Sequence, residues 1–352
     1  MKIAFPNGTS LPEGAALLAA DVGGTKTDMA LFRVHEGHPH IVREHVFASR
    51  EWTGLPDMIR HFLGDTPAPA RIGIAFAGPV LNGKATATNL GWSVDVHQLR
   101  AASAIPGIAL LNDLEAKAYG LAALSDADLR HVWPGSAPTA GNAAIIAPGT
   151  GLGEAGLFWD GQALHPFATE GGHSDFAPRR PFDWALLEHL RKQFGHVSWE
   201  RLVSGPGIAA IFQFLLRYRQ AREPEWLSGQ RQHADLAAAI SVAAVAGDEI
   251  CSETLELFVR YLATESASLA LKMKATGGLY IGGGIPPKIW NTHLQAVFLE
   301  HFFDAGRLRP LLEAMPVHLI LNPRTALLGA AWYCTTCCPV VKPLNDPRHS
   351  AN

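Results

Sequence analysis

Four stretches of the sequence set an acidic or imidazole side chain beside glycine or at a strand end, where a small ligand could reach it. Asp21 closes the apolar run in "LLAADVGGTK" and leads into the turn Gly23-Gly24-Thr25. Asp113 follows Asn112 at the end of "ALLN" and opens a helical pattern. Glu170 and His173 flank a glycine pair in "FATEGGHSDFAP", and Glu200 lies in "GHVSWERLVSGPG". "ATNLGWSVD" adds Asn89 and Trp92, an amide and an aromatic wall. A carboxylate placed like Asp113 can take a proton from a hydroxyl as that hydroxyl attacks a phosphoryl group. Carboxylates, imidazoles and amides in a glycine loop can orient the hydroxyls of a small polar ligand. Each residue also has a plainer use. Asn112 suits an N-cap with Glu115 at the reciprocal position, Asp21 can bond its own turn, and Glu200 fits the acidic first turn of a helix.

Glycine supplies the other half of the chemistry. Gly23-Gly24-Thr25 and Gly149-Thr150-Gly151 can each present backbone N–H groups and a threonine hydroxyl to phosphate oxygens. Neither turn has the G-x-x-x-x-G-K-[ST] spacing of a P-loop. Gly149-x-Gly151 is followed by strand residues, with Glu154 at the third glycine position, so it does not read as a dinucleotide fingerprint. Asp21, beside the first turn, is placed to orient the waters of a hydrated Mg²⁺. A third element, "GGLYIGGGIPPK", would let a flat ring lie against Gly282, Gly283 and Gly284.

These residues need a scaffold of alternating strands and helices. The pattern predicts strands at Leu17–Ala20, Asp28–Arg33, Ile41–Ala48, Ile72–Phe76, Ala109–Leu111, Ala143–Ala147, Gly156–Phe158, Gly278–Ile281 and Val317–Leu321. It predicts helices at Pro56–Leu63, Leu114–Leu124, Pro181–Phe194, Gly207–Arg219 and Asp248–Thr276. That alternation is an α/β pattern. "LLAADVGGTKTDMALF" and "AAIIAPGTGLGEAGLF" share one plan of strand, glycine turn and strand ending in Leu-Phe, which points to two halves built alike. The stretch 131–142, rich in Pro and Gly, is the expected crossing between them.

Length and charge bound the rest. The 352 residues suffice for two domains, and a net charge of -3 offers no footprint for nucleic acid or an anionic membrane. No apolar run approaches the roughly 18 residues of a membrane span, and the N-terminal stretch lacks a signal-peptide pattern, so a cytoplasmic location is expected. Among four cysteines, Cys251 stands alone. Cys334, Cys337 and Cys338 crowd into "CTTCC" without a second ligand pair, and read as a helix end entering a loose tail.

With these motifs in hand, the chain resembles the bacterial glucokinase family of the actin-like ATPase superfold from about Leu17 to Ala331. "DVGGT" resembles the family's first phosphate motif, "GTGLG" the second, "NDLEA" the segment with the catalytic aspartate and "GGLYIGGGIPP" the adenosine motif. "EGGHSDFAP" and "GHVSWERLVSGPG" are similar to two further hallmarks, and all six occur in family order. Lys26, Pro148 and Pro287 depart from the commoner residues at their positions without removing a named contact. No cysteine lies near Glu170, unlike the zinc-binding cluster common in the broader family of repressors, open reading frames and kinases.

The resemblance implies an α/β, two-domain actin-like ATPase (ribonuclease H-like) fold with a central cleft. Residues 16–122 plus 322–338 would form the smaller domain, 123–321 the larger, and 339–352 a disordered tail. It implies ATP-dependent phosphorylation of glucose with Asp113 as general base. Asn89, Asn112, Asp113, Glu170, His173 and Glu200 would bind the sugar. ATP would be held by Ala20, Asp21, Val22, Gly23, Gly24 and Thr25, by Gly149, Thr150, Gly151 and Gly153, and by Gly282, Gly283 and Gly284. Mg²⁺ would be held through water at Asp21. The expected partners are glucose and ATP, with no nucleic acid and no membrane, and a homodimer is compatible with this reading. The alternatives are a kinase for another hexose or amino sugar, and a non-catalytic sugar-sensing regulator. A regulator would ordinarily carry an appended helix-turn-helix or lack the base.

Overall fold

The computed structural model describes residues 2–336 except 7, 88, 89, 104, 106, 223, 225 and 228–235. By its internal contacts the chain divides into two units: Met1–Ser125 with the chain from Arg324 onward, and Asp126–Pro323. The stretch 131–142 therefore lies wholly inside the second unit, and the crossing falls between Ser125 and Asp126. The physical reason is long-range pairing, which places residues 129–133 in the second unit's sheet.

In the first unit, β1 (Ala16–Val22) runs into β2 (Lys26–His35) and β3 (His38–Ala48) as an antiparallel meander. Helix α1 (Leu55–Leu63) leads to β4 (Arg71–Phe76), and β8 (Gly107–Asn112) follows a small sheet of β5 (Val80–Leu81), β6 (Lys84–Ala87) and β7 (Trp92–Asp95) and helix α2 (Val96–Ser103). The five-stranded order is β3-β2-β1-β4-β8, with β1, β4 and β8 parallel. All six residues of β4 are buried, as a central parallel strand requires. The C-terminal helix Thr325–Thr336 packs on β1, β4 and α3 (Asp113–Gly120). Glycine permits that close approach: a Cβ on Gly73 would stand 2.4 Å from the carbonyl oxygen of Ala330, and one on Gly329 would stand 1.7 Å from that of Ala116.

The second unit repeats the plan. Its sheet has the order β12-β11-β10-β13-β14-β9. Strands β10 (Ala143–Pro148), β11 (Leu152–Trp159) and β12 (Leu164–Thr169) form the antiparallel meander, and β13 (Gly278–Ile281) and β14 (Val317–Ile320) continue β10 in parallel. Removing β9 (Leu129–Trp133), an edge strand antiparallel to β14, leaves the first sheet's order and directions. The internal echo in the sequence is thus a repeat of topology. Helices α4 (Pro181–Phe194), α5 (Gly205–Tyr218), the long helix Glu249–Met273 and the helix Thr292–Phe302 carry the core, with Phe212, Phe258, Phe298 and Phe302 fully buried. Each such side chain contributes about 1.5–3 kcal/mol by leaving water. Cys251 is buried near the start of the long helix, where burial pushes its thiol up to about 12, so it is packing material. Cys334 is buried in the C-terminal helix, while Cys337, Cys338 and the tail 339–352 lie outside the described residues. No described helix is long and apolar enough to cross a membrane.

Candidate active site

In the first unit the ends of three parallel strands set the site. Asp21 lies across from Ala75 of β4, and Phe76 of β4 lies across from Asn112 of β8, so Asp21 and Asn112-Asp113 share the carboxyl edge of the sheet. That edge is where open α/β sheets hold ligands. Asn112 caps α3, its Oδ1 accepting the backbone N–H groups of Leu114 (2.9 Å) and Glu115 (3.2 Å). The N-cap read from the sequence is present. The Asn112 amide also donates to the carbonyl of Gly78 at 3.1 Å, which leaves one amide hydrogen uncommitted among the described residues. With the cap assigned to Asn112, Asp113 begins the helix as a half-buried side chain at the strand mouth.

The turn after β1 exposes Thr25 and closes with the Gly23 N–H donating to the Lys26 carbonyl at 3.0 Å. The Ser49 hydroxyl donates to the Gly23 carbonyl at 2.8 Å, fixing the turn from β3's end. Lys26 reaches Asp28 at 3.2 Å. Burial pushes the Asp21 carboxyl up to about 7, Lys117 opposing and the charges of Asp113 and Asp28 adding to the rise. Three carboxylates thus bear on one another. A hydrated divalent cation at Asp21 would relieve that repulsion, and the oxygen donors suit Mg²⁺. Among the described residues no group of three or more His, Cys, Asp or Glu is placed to ligate a metal directly. Lys117 escaped the sequence reading. Its signal was its place one turn after Asp113, on the same helix face.

In the second unit the motifs converge on the start of β11. The turn closes with the Gly149 N–H donating to the Gly151 carbonyl at 2.8 Å, leaving Thr150 exposed. Gly205, first residue of α5, donates its N–H to the Gly149 carbonyl at 2.8 Å, so the positive end of that helix abuts the turn. Glu200 accepts the Leu152 N–H at 3.0 Å through Oε2. Space there is tight, since a Cβ on Gly151 would stand 2.4 Å from that same oxygen. The Glu170–His173 loop docks on the next residues. A Cβ on Gly172 would stand 2.1 Å from the Leu152 carbonyl oxygen, and one on Gly171 would stand 2.0 Å from Oε2 of Glu154. Both loop glycines are therefore required for close approach, and Glu170 and His173 remain exposed for a ligand. The third glycine element joins them: Gly282 donates to the Ile146 carbonyl at 2.8 Å, and Gly283, at φ +82°, packs against the Pro148 carbonyl.

The structure thus gathers Ala20–Thr25 with Asn112 and Asp113 in one unit, and Gly149–Gly153, Glu170, His173, Glu200 and Gly282–Gly284 in the other. Asn89 lies outside the described residues. The sequence reading also missed Glu154 and Glu265, a buried carboxyl pair. In the sequence Glu154 stands out only as the residue in the third glycine position of a dinucleotide fingerprint.

A glucokinase family model matches residues 18–337 of the chain. The glucokinase of Trichormus variabilis is 41% identical over 333 residues, covering 90% of this chain and 97% of that protein. That of Synechocystis is 37% identical over 345 residues, with the same coverage. The crystal structure of a glucokinase from an Antarctic psychrotroph gives a TM-score of 0.76 at 33% identity, covering 90% of this chain and 98% of that one. A ROK family glucokinase from Streptomyces griseus, solved with glucose and AMPPNP, gives 0.64 at 20% identity, with coverage of 90% and 98%. At that identity the likeness is one of fold, the actin-like ATPase fold of these sugar kinases.

Proposed function

The chain belongs to the glucokinase family, and on that premise we propose that it transfers the γ-phosphoryl group of ATP to the 6-hydroxyl of glucose, yielding glucose 6-phosphate and ADP. The observation that carries the mechanism is the placement of Asp113 at the carboxyl edge of the first sheet, as the first residue of α3 directly after the Asn112 cap. Asp113 takes the proton of the 6-hydroxyl as its oxygen forms a bond to the γ-phosphorus and the bond to the β-phosphate oxygen breaks.

The remaining residues bind and orient. Glu170 and His173 bond sugar hydroxyls from their exposed loop, and Glu200 uses the oxygen not engaged by Leu152. Asn112 contributes its one uncommitted amide hydrogen, and Asn89 a further polar contact. The backbone N–H groups of Gly23–Thr25 and Gly149–Gly153 cradle the phosphates with the Thr25 and Thr150 hydroxyls, and Gly282–Gly284 lie at the adenosine. Asp21 would hold Mg²⁺ through its waters, and the ion would offset phosphate charge. The protein works in the cytoplasm on soluble small molecules.

A coupled assay of ADP release across glucose, mannose, glucosamine and N-acetylglucosamine tests this reading. Glucose is expected to give the highest kcat/KM. Preference for another sugar reassigns the substrate, and the absence of ADP release with every sugar supports the regulator instead.

A further inference from the structure

Beneath the sugar-binding loop lie two carboxyl groups that the proposed reaction does not use. Glu154, on β11, is 2% exposed, and Glu265, on the long helix Glu249–Met273, is fully buried. Oε1 of Glu154 and Oε2 of Glu265 are both buried without a hydrogen-bond partner when the groups are taken as ionised. The cation at hand is Lys272, whose Nζ stands 3.4 Å from Oε1 of Glu265 and whose side chain is 56% exposed. One half-solvated ammonium does not offset two buried negative charges. A single proton does, because the two side chains lie close enough to share a hydrogen bond, in which a protonated carboxyl becomes an O–H donor to its neighbour.

We propose that Glu154 is a positioning residue for the sugar-binding loop, holding a proton that it donates to Glu265 and so presenting a neutral carboxyl under Gly171. Glu265 is the ionised member because Lys272 adjoins it. The loop rests on the other member. Oε2 of Glu154 occupies the space a Gly171 side chain would need, and the Thr169 hydroxyl, which donates to the Glu154 carbonyl at 3.0 Å, also accepts the Gly171 N–H at 3.3 Å. Loss of the proton would put two like charges side by side and turn the Glu154 carboxylate toward water or Lys272, carrying Gly171 with it. Glu170 and His173, on either side of the glycine pair, would lose their register on the sugar.

The charged groups bearing on the pair agree. Burial first, then the charge of Glu265, pushes Glu154 up to about 8, with Lys272 opposing. Burial also raises Glu265, and Lys272, the bond from Glu154 and the charge of Arg179 hold it lower. For stability the sign is that of a raised acid. The contribution is complete below the ordinary carboxylate value of 4.5 and is lost as pH rises through about 8. For sugar binding only the folded protein counts, so the change falls near about 8 alone.

The inference rests on the sugar-loop assignment made above, and its test separates the two. The KM for glucose, the KM for ATP and kcat are measured from about pH 6 to about pH 9.5 on the full chain and on Glu154→Gln, whose amide donates without charge. The unsubstituted protein is expected to show a rise of about fivefold or more in the KM for glucose above pH ~8, with the KM for ATP steady, and Glu154→Gln to abolish the rise. Glucose has no group titrating there. A flat profile in the unsubstituted protein, or the same rise in the variant, overturns the proposal. Infrared spectroscopy supplies a readout independent of turnover. A buried carboxylic-acid C=O band at neutral pH, absent from Glu154→Gln, is expected, and lack of that band overturns the proposal whatever the kinetics. If the variant does not fold, the band is followed in Asp21→Asn, which removes the other strongly raised carboxyl at the first hairpin, and its loss near pH ~8 still decides. A chain that releases no ADP with any sugar refutes the kinase reading, and leaves the band and calorimetric glucose binding to judge the pair.

Discussion

The two glycine hairpins, β1–β2 and β10–β11, occupy equivalent places in sheets of matching order, yet they are addressed by carboxylates from different sources. In the first unit Asp21 stands on the strand itself, one residue before the pair Val22 and Thr27 that closes the ladder. In the second, Ala147 takes that place, and the carboxylate comes from Glu200, outside the hairpin, to accept the Leu152 N–H. The loops differ too. Four residues separate Val22 from Thr27, whereas three separate Pro148 from Leu152. A one-residue change reverses which face each later side chain of the second strand meets relative to its partner. Glu154 accordingly lies across from Ile146 and is buried, while Asp28, at the corresponding place in the first motif, lies across from Asp21 and is salt-bridged to Lys26. Duplication of a backbone does not duplicate its chemistry. On the proposed reading the first hairpin keeps the charge of Asp21 for a metal, while in the second unit Glu200 holds the turn and Glu154 lies under the loop.

If that division of labour holds, a substitution in the first unit should act on turnover. Asp113→Asn is expected to lower kcat by roughly 10²–10⁴, with calorimetric glucose affinity kept within a few-fold. An Asn at that place can still begin α3, because Asn112 makes the cap. Near-normal turnover would reduce Asp113 to a helix-start residue and erase the contrast between the units.

Substitutions in the second unit should act on sugar binding instead. Glu200→Ala removes the carboxylate proposed to bind the sugar and leaves the Leu152 N–H unpaired. Losing such a bond costs about 1–3 kcal/mol, or about 5- to 150-fold in glucose affinity. Glu170→Gln and His173→Ala are expected toward the lower end of that range, since both side chains are exposed. Titration of glucose and an unhydrolysable ATP analogue separately would show the asymmetry. Equal losses for both ligands would mean that the loop and Glu200 serve the nucleotide as much as the sugar.

Much of this contrast was legible from residue types, and what was not legible has a common cause. The hairpins, the strand ending at Asn112 and its N-cap are local, set by periodicity and by residues within one turn of each other. β9 was not read as a strand, because "LRHVW" has no period of its own and becomes strand only by pairing with β14. β12 was missed for a similar reason: its outward side chains are exposed and Pro166 interrupts it. The carboxyl pair under the sugar loop was illegible because Glu154 and Glu265 meet only through the packing of the long helix against the second sheet. Composition showed their charge and not their company.

The smallest expected effects test whether even the plain turns of the two meanders diverged. β2–β3 closes through Glu36 and Gly37, both with positive φ (51° and 76°), the two-residue turn that glycine favours. A Cβ on Gly37 would meet nothing within 4 Å, so Gly37→Ala costs only backbone strain, about 1 kcal/mol at every pH. The equivalent β11–β12 turn is held by a charge. Asp160 accepts the backbone N–H groups of Gln162 (2.7 Å) and Ala163 (2.8 Å) and meets His165 at 2.7 Å. The bond to His165 first, then the two backbone bonds, hold its carboxyl far below the ordinary 3.8. For a depressed acid the stabilisation is present above the ordinary value and is lost as pH falls toward the depressed one. Asp160→Asn keeps an oxygen for the turn and removes the charge. Its thermal midpoint should lie slightly below that of the unsubstituted protein at neutral pH, and the gap should close progressively as the pH drops below about 4. The Gly37→Ala gap should not change over the same range. If the Asp160→Asn gap instead persists unchanged in acid, the carboxylate charge is not what holds this turn, and the two meanders close by backbone geometry alike.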